Sequence, residues 1–256
     1  MSSATMRVIE ANARMYRQTW RGSIVSSFAV PIFTLLAMGG GLGRLVDAGG
    51  QIELGSYLGF VAPALLAATA MMTAVGESSY PVLAGIKWTK SYHAALATPV
   101  APADLATGLV GFLGIRVLFN LLVYVGLMVL MNAMDLVPAL TAVIPAALTG
   151  LAFATPVMAW SASLDDDRAL ASFFRFVVMP LFLFSGTFHP VTQLPEWVQP
   201  LIWLSPLFHG IELSRGAAGV AGSPALPWWL HVAVLLALFG VGLVLALRSF
   251  TKRLWT

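Results

Sequence analysis

From Ile24 to Gly43 the chain runs twenty residues without a charged side chain, and comparable apolar runs recur at about Tyr57–Val75, within Leu105–Met131 (where Arg116 is the one charge), and at Ala139–Ser163 and Trp228–Leu247. An apolar helix of about 20 residues crosses the roughly 30 Å hydrocarbon core of a bilayer. A chain with several such runs has to place them in lipid, where only helices and closed barrels keep every backbone polar group paired. Composition agrees, with 59% hydrophobic and 10% charged residues against about 25% charged in soluble domains. The expected fold class is therefore all-α integral membrane, organised as one domain over 1–256. The absence of cysteine excludes a disulfide framework and a thiolate metal site. A net charge of +3, spread along the chain, gives no case for nucleic acid.

One apolar stretch breaks the pattern. Leu181–Gly216 is hydrophobic and tryptophan-rich, yet Pro190, Pro195, Pro200 and Pro206 interrupt it, and each removes a backbone donor and stops a helix. Segments of this kind dip into the membrane and return, or lie along its surface. The preceding run, about Ala171–Ser185, is expected as a fifth span, which with Ile24–Gly43 brings the total to six. Residues 3–21 come before the first. There Met6, Ile9, Ala13, Tyr16 and Trp20 recur at steps of three and four, and Arg7, Arg14, Arg17 and Arg21 take a neighbouring face. That is the pattern of an interfacial helix, with aromatics in the acyl boundary and arginines at headgroups. A helix packed on a partner presents the same pattern.

Basic residues set the orientation. With the amino terminus in the cytoplasm, ten lie inside (Arg7, Arg14, Arg17, Arg21, Lys87, Lys90, Arg168, Arg248, Lys252, Arg253) and two outside (Arg44, Arg215). Both termini are then cytoplasmic, the broken stretch 186–216 faces out, and the long connection 77–104 faces in. Within that connection Val82–Thr98 has room for a helix of about four turns, where Trp88 and Tyr92 form an apolar anchor flanked by Lys87 and Lys90.

Several chemistries are excluded. Ala84–Ser91 (AGIKWTKS) ends like a phosphate-binding loop but has Ala84 and Thr89 where the two glycines must stand. His209-Gly-Ile-Glu212 lacks the second histidine of a zinc-protease site. The four histidines are scattered in sequence, so no metal site is expected, and no catalytic constellation is found. Asp165–Asp167 reads as a solvated loop. Ionisable groups inside spans are functional candidates: Arg116, Arg175 and Glu77, with either arginine a possible partner of the carboxylate. Swapping the charges of Glu77 and Arg116 should restore an activity lost in each single variant.

Two stretches carry a family resemblance: Glu77–Asp104 with its LATPV, and Phe182–Leu213 (FLFSGTFHPVTQLPEWVQPLIWLSPLFHGIEL). They resemble the permease subunits of type-2 ATP-binding-cassette (ABC) exporters, in the branch of lipo-oligosaccharide (nodulation protein J-like) and daunorubicin-type drug-export permeases. The resemblance implies six spans, an amino-terminal interfacial helix, a cytoplasmic coupling helix between spans 2 and 3, and short re-entrant helices between spans 5 and 6. It also implies two permease chains, identical or paralogous, working in the bacterial inner membrane with two ATPase subunits that hold ATP and Mg. By position, Lys87, Trp88, Lys90, Tyr92 and His93 would meet the ATPase. Pro190, Pro195, Trp197, Pro200, Trp203, Pro206, His209 and Glu212 would form an outer gate, with Trp197 and Trp203 holding the surface. The cargo would be amphipathic, a lipid-linked saccharide or a hydrophobic drug. An ion-coupled secondary multidrug transporter is the alternative, and would want acidic or histidine residues near the midplane.

Overall fold

A computed structural model describes the backbone of residues 3–48, 56–220 and 226–255; the side chains of 3, 18–28 and 30, Trp20 and Arg21 among them, lie outside the described residues. The described elements are helical: α1 (Ser3–Leu36), a π segment (Ala37–Gly43), α2 (Arg44–Ala48), α3 (Tyr57–Ser78), α4 (Tyr80–Lys87), α5 (Ser91–Leu96), α6 (Pro102–Leu130), α7 (Leu136–Ser163), α8 (Arg168–Phe173), a π turn (Phe174–Val178), α9 (Met179–Phe184), α10 (Gln199–Trp203), α11 (Pro206–Ala217) and α12 (Trp228–Leu254). Among the described residues, four stretches are long and apolar enough to cross a membrane: Tyr57–Lys87, Pro102–Leu130, Leu136–Ser163 and Trp228–Leu254.

The central post is α3. Its alanines at 62, 64, 67, 68, 70 and 74 are essentially unexposed, and small side chains let α6, α7 and α11 pack around it closely, as membrane helices require. Ser56 begins the helix, accepting from the Gly59 N–H at 3.1 Å. Pro81 removes a donor near the start of α4, and the chain breaks at Ser79 (φ −96°, ψ −96°). Along α7, Gly210 of α11 meets Thr149, and Gly242 of α12 meets Thr155 and Pro156, so closely that a Cβ at either glycine would overlap. The Thr155 hydroxyl donates across that second contact to the Phe239 carbonyl at 3.0 Å.

The structure departs from the sequence expectations in four places. The backbone runs unbroken from Ser3 to Leu36, so the expected surface helix and first span are one helix, and Arg44 begins α2 rather than sitting in a loop. Thr5 and Val8 are buried on this helix while Met6 is 56% exposed, which moves the packed face one residue round from the expected stripe. The helical run Arg168–Phe184 is about 25 Å long and widens into a π turn at Phe174–Val178 before ending at Ser185. The expected four-turn helix over Val82–Thr98 is instead α4 and α5, separated by Lys90 at φ +52°. Finally, α12 extends to Leu254, carrying the basic tail with it.

Candidate functional site

Three polar assemblies lie along the helices. At one end, Lys87 of α4 donates to Asp165 at 2.8 Å, and Arg253 of α12 donates to the same carboxylate and to the Leu164 carbonyl at 3.4 Å. The Lys87 and Arg253 hydrogen bonds hold the Asp165 carboxyl down at about 2 from its ordinary 3.8. The loop is solvated as expected, with the Asp165 side chain 80% exposed, and it also ties α4, the end of α7 and α12 together. Lys87 is engaged there, while Trp88 is 59% exposed and Lys90 and His93 stand free to solvent. Tyr92 does not join Trp88 in an outward anchor. The left-handed turn at Lys90 sends it back into the protein, its ring under Gly85 and 6.0 Å from the Phe250 ring, and burial raises its hydroxyl pKa.

Deeper in the bundle, Arg116 of α6 donates to Glu77 of α3 at 2.6 Å and lies 3.8 Å over the Tyr16 ring of α1. One turn along α6, Asn120 donates to the Thr73 hydroxyl at 3.2 Å. Three helices are joined by this group. Arg175 sits exposed on the π turn, so Arg116 is the arginine beside Glu77. Arg7, Arg14 and Arg17 are exposed on α1, and Arg14 pairs with Glu10 one turn back at 2.6 Å.

The broken stretch forms the opposite end. Pro190 precedes a 3-10 turn (Val191–Gln193), Pro195 starts the next turn, and Pro200 and Pro206 stand in the first turns of α10 and α11, where a missing N–H costs nothing. Trp197 is 74% exposed, whereas Trp203 turns inward onto a small cluster of Val191, Ile202 and Phe208; only the first holds the surface. His209 and His231 are both buried, their Nδ1 atoms 2.7 Å apart, and His209 Nε2 is 2.9 Å from the Trp203 carbonyl. No group of three or more potential metal ligands occurs among the described residues.

Sequence reasoning passed over Arg215, which it counted as an outer loop charge. The side chain is 1% exposed and binds Glu212, one turn back on α11, at 3.3 Å. A Glu-x-x-Arg pair inside an otherwise apolar segment was the available signal.

Residues 7–218 match the ABC-2 type transporter family. Over most of its length the chain is also similar to curated relatives called nodulation protein J. It is 26% identical to that of Rhizobium leguminosarum bv. viciae (97% of this chain, 94% of the relative) and 27% identical to that of Rhizobium meliloti strain 1021 (95% and 91%). With the protein of Sinorhizobium fredii it shares 29% identity (82% and 83%). Long apolar helices around an alanine-rich post accord with this match, and the chain belongs to the ABC-2 type transporter family, as a multi-pass membrane permease.

Proposed function

We propose that this permease pairs with a second permease chain, identical or paralogous, and with two ATPase subunits to export an amphipathic molecule. The cargo class is a lipid-linked saccharide or a hydrophobic drug. ATP and Mg act on the ATPases, since this sequence has no phosphate-binding loop. Six spans and a bacterial inner-membrane location are what the resemblance to exporter permeases implies, and the distribution of basic residues favours both termini in the cytoplasm. The segment after Ser185 then re-enters from outside.

One observation carries the reading. The knob Trp88–His93 projects at the end of the bundle richest in basic residues, and its base is held by Lys87 on Asp165 and by Tyr92 on Phe250. An exposed tryptophan on a braced turn suits a protein interface, and a permease driven from outside needs such a handle.

The test is co-purification with the candidate ATPase, followed by ATPase and transport assays in lipid. Lipid-stimulated ATP hydrolysis coupled to loss of cargo from the inner side is expected. Export driven by a proton gradient alone, with no ATPase bound, would refute the reading in favour of a secondary transporter.

A further inference from the structure

Arg215 is the largest fully buried side chain among the described residues. Its Nε donates to the Phe60 carbonyl at 3.3 Å, one terminal nitrogen donates to the carbonyls of Gly186 (2.7 Å) and Thr187 (3.3 Å), and the other to Glu212 at 3.3 Å. Its guanidinium carbon lies 3.8 Å over the Phe60 ring. Three pieces distant in sequence meet on this one group: the outer end of α3, the turn after α9, and α11. A second bond repeats the link, with Tyr57 Oη donating to the Phe188 carbonyl at 3.0 Å. Burying a cation is costly, and an apolar side chain of similar volume can often replace one. What a guanidinium adds is a planar fork of donors in fixed directions, here aimed at carbonyls of a turn that includes Gly186 at φ +87°.

The neighbouring segment is held differently. Pro190–Leu204 packs Val191, Val198 and Ile202 against Phe208 of α11 and Leu226, while Trp197, Leu201 and Leu204 are between 63% and 77% exposed. The Ser185–Ser205 hydroxyl contact at 2.6 Å and the Trp203 carbonyl beside His209 join its base to the rest.

We propose that Arg215 is a positioning residue that fastens the turn 185–188 and α11 to the outer end of α3, so that these three move as one body during transport. The Pro190–Leu204 flap is then the part that shifts at the exit. This rests on the exporter reading above. It differs from a gate made of the whole broken stretch, because the proline-rich half moves while the half containing Arg215 does not.

The chain has no cysteine, so engineered thiols can be bridged cleanly in the complete transporter in lipid. In Tyr57→Cys/Phe188→Cys, a flexible bis-maleimide bridge should leave ATP-driven transport within about twofold of the unbridged protein, whereas bridging Val198→Cys/Leu226→Cys should stop it. Arg215→Lys keeps the charge but not the fork, and should lower transport about tenfold, the scale of one lost charge-assisted hydrogen bond. Adding the 57–188 bridge to that variant should restore the rate, which it would not do for a general folding defect. Arrest by the 57–188 bridge in a transporter active before bridging would overturn the proposal, as would wild-type transport by Arg215→Lys. Absence of ATP-driven transport before any bridging would instead sink the exporter reading, and this proposal with it.

Discussion

Removing Glu77 should destabilise the protein more than removing Arg116, although the two are partners. The Arg116 side chain is 9% exposed and Glu77 is 32% exposed, with 2.6 Å between them. Deleting one member of a buried pair costs about 3–5 kcal/mol, because the other charge is left uncompensated. In Glu77→Ala the stranded group is the buried cation, whose Nε already has no partner. The Tyr16 face offsets roughly 1 kcal/mol of that, and partial water access a little more, leaving a cost of about 2–3 kcal/mol. In Arg116→Met the stem keeps its packing and the remaining carboxylate can reach water, so the cost falls to about 1 kcal/mol. The double variant strands nothing and should also cost about 1 kcal/mol, giving a coupling energy of about 2–3 kcal/mol. Unfolding in mixed micelles titrated with SDS measures all three. Equal single costs that add in the double variant would refute the argument. The same geometry limits the charge-swap rescue: a carboxylate at 116 would face the negative side of the Tyr16 ring, so recovery should be partial and should improve when Tyr16→Leu is added.

Other outcomes follow from single contacts. Gly85→Ala places a methyl 2.5 Å from the Tyr92 ring, so α5 should shift and ATPase binding weaken, read as a lower co-purified ratio. Gly210→Ala meets the Thr149 hydroxyl at 2.1 Å and should cost about 1–3 kcal/mol through overpacking, partly relieved by Thr149→Ala in the same unfolding assay. Trp88→Ala should weaken ATPase binding about tenfold without altering the thermal stability of the permease alone. The Asp165 carboxyl is depressed from 3.8 to about 2. Its contribution is therefore complete above about pH 4 and is lost as pH falls through about 2; pepsin cleavage near 164–168 should rise across that window, and Asp165→Asn should be open to cleavage throughout.

Much of the architecture was legible in the residues because it depends on local rules. Long apolar runs are apolar wherever they lie, the prolines of the broken stretch start short helical pieces there, and the break between α6 and α7 falls at Asn132, whose φ is +51°. The Glu77–Arg116 pairing was within reach because ionisable groups in apolar helices need partners, although choosing Arg116 over Arg175 took three helices packed together. Side-chain direction was not legible. Tyr92 has the composition of an exposed anchor, and only the left-handed turn at Lys90 sends it inward. Asp165 reads as solvent-facing and is so, but its ties to Lys87 and Arg253 exist only because the ends of α4 and α12 converge on it. Arg215 is the clearest case: as a charge count it belongs to an outer loop, yet it is the buried fastening of that end. The sequence by itself determined which segments must be helical and apolar, since backbone satisfaction in lipid permits little else. Which charges are buried, and on what, was decided by tertiary structure, because the carbonyls of Phe60, Gly186 and Thr187 become one binding site only when α3, the turn and α11 are brought together.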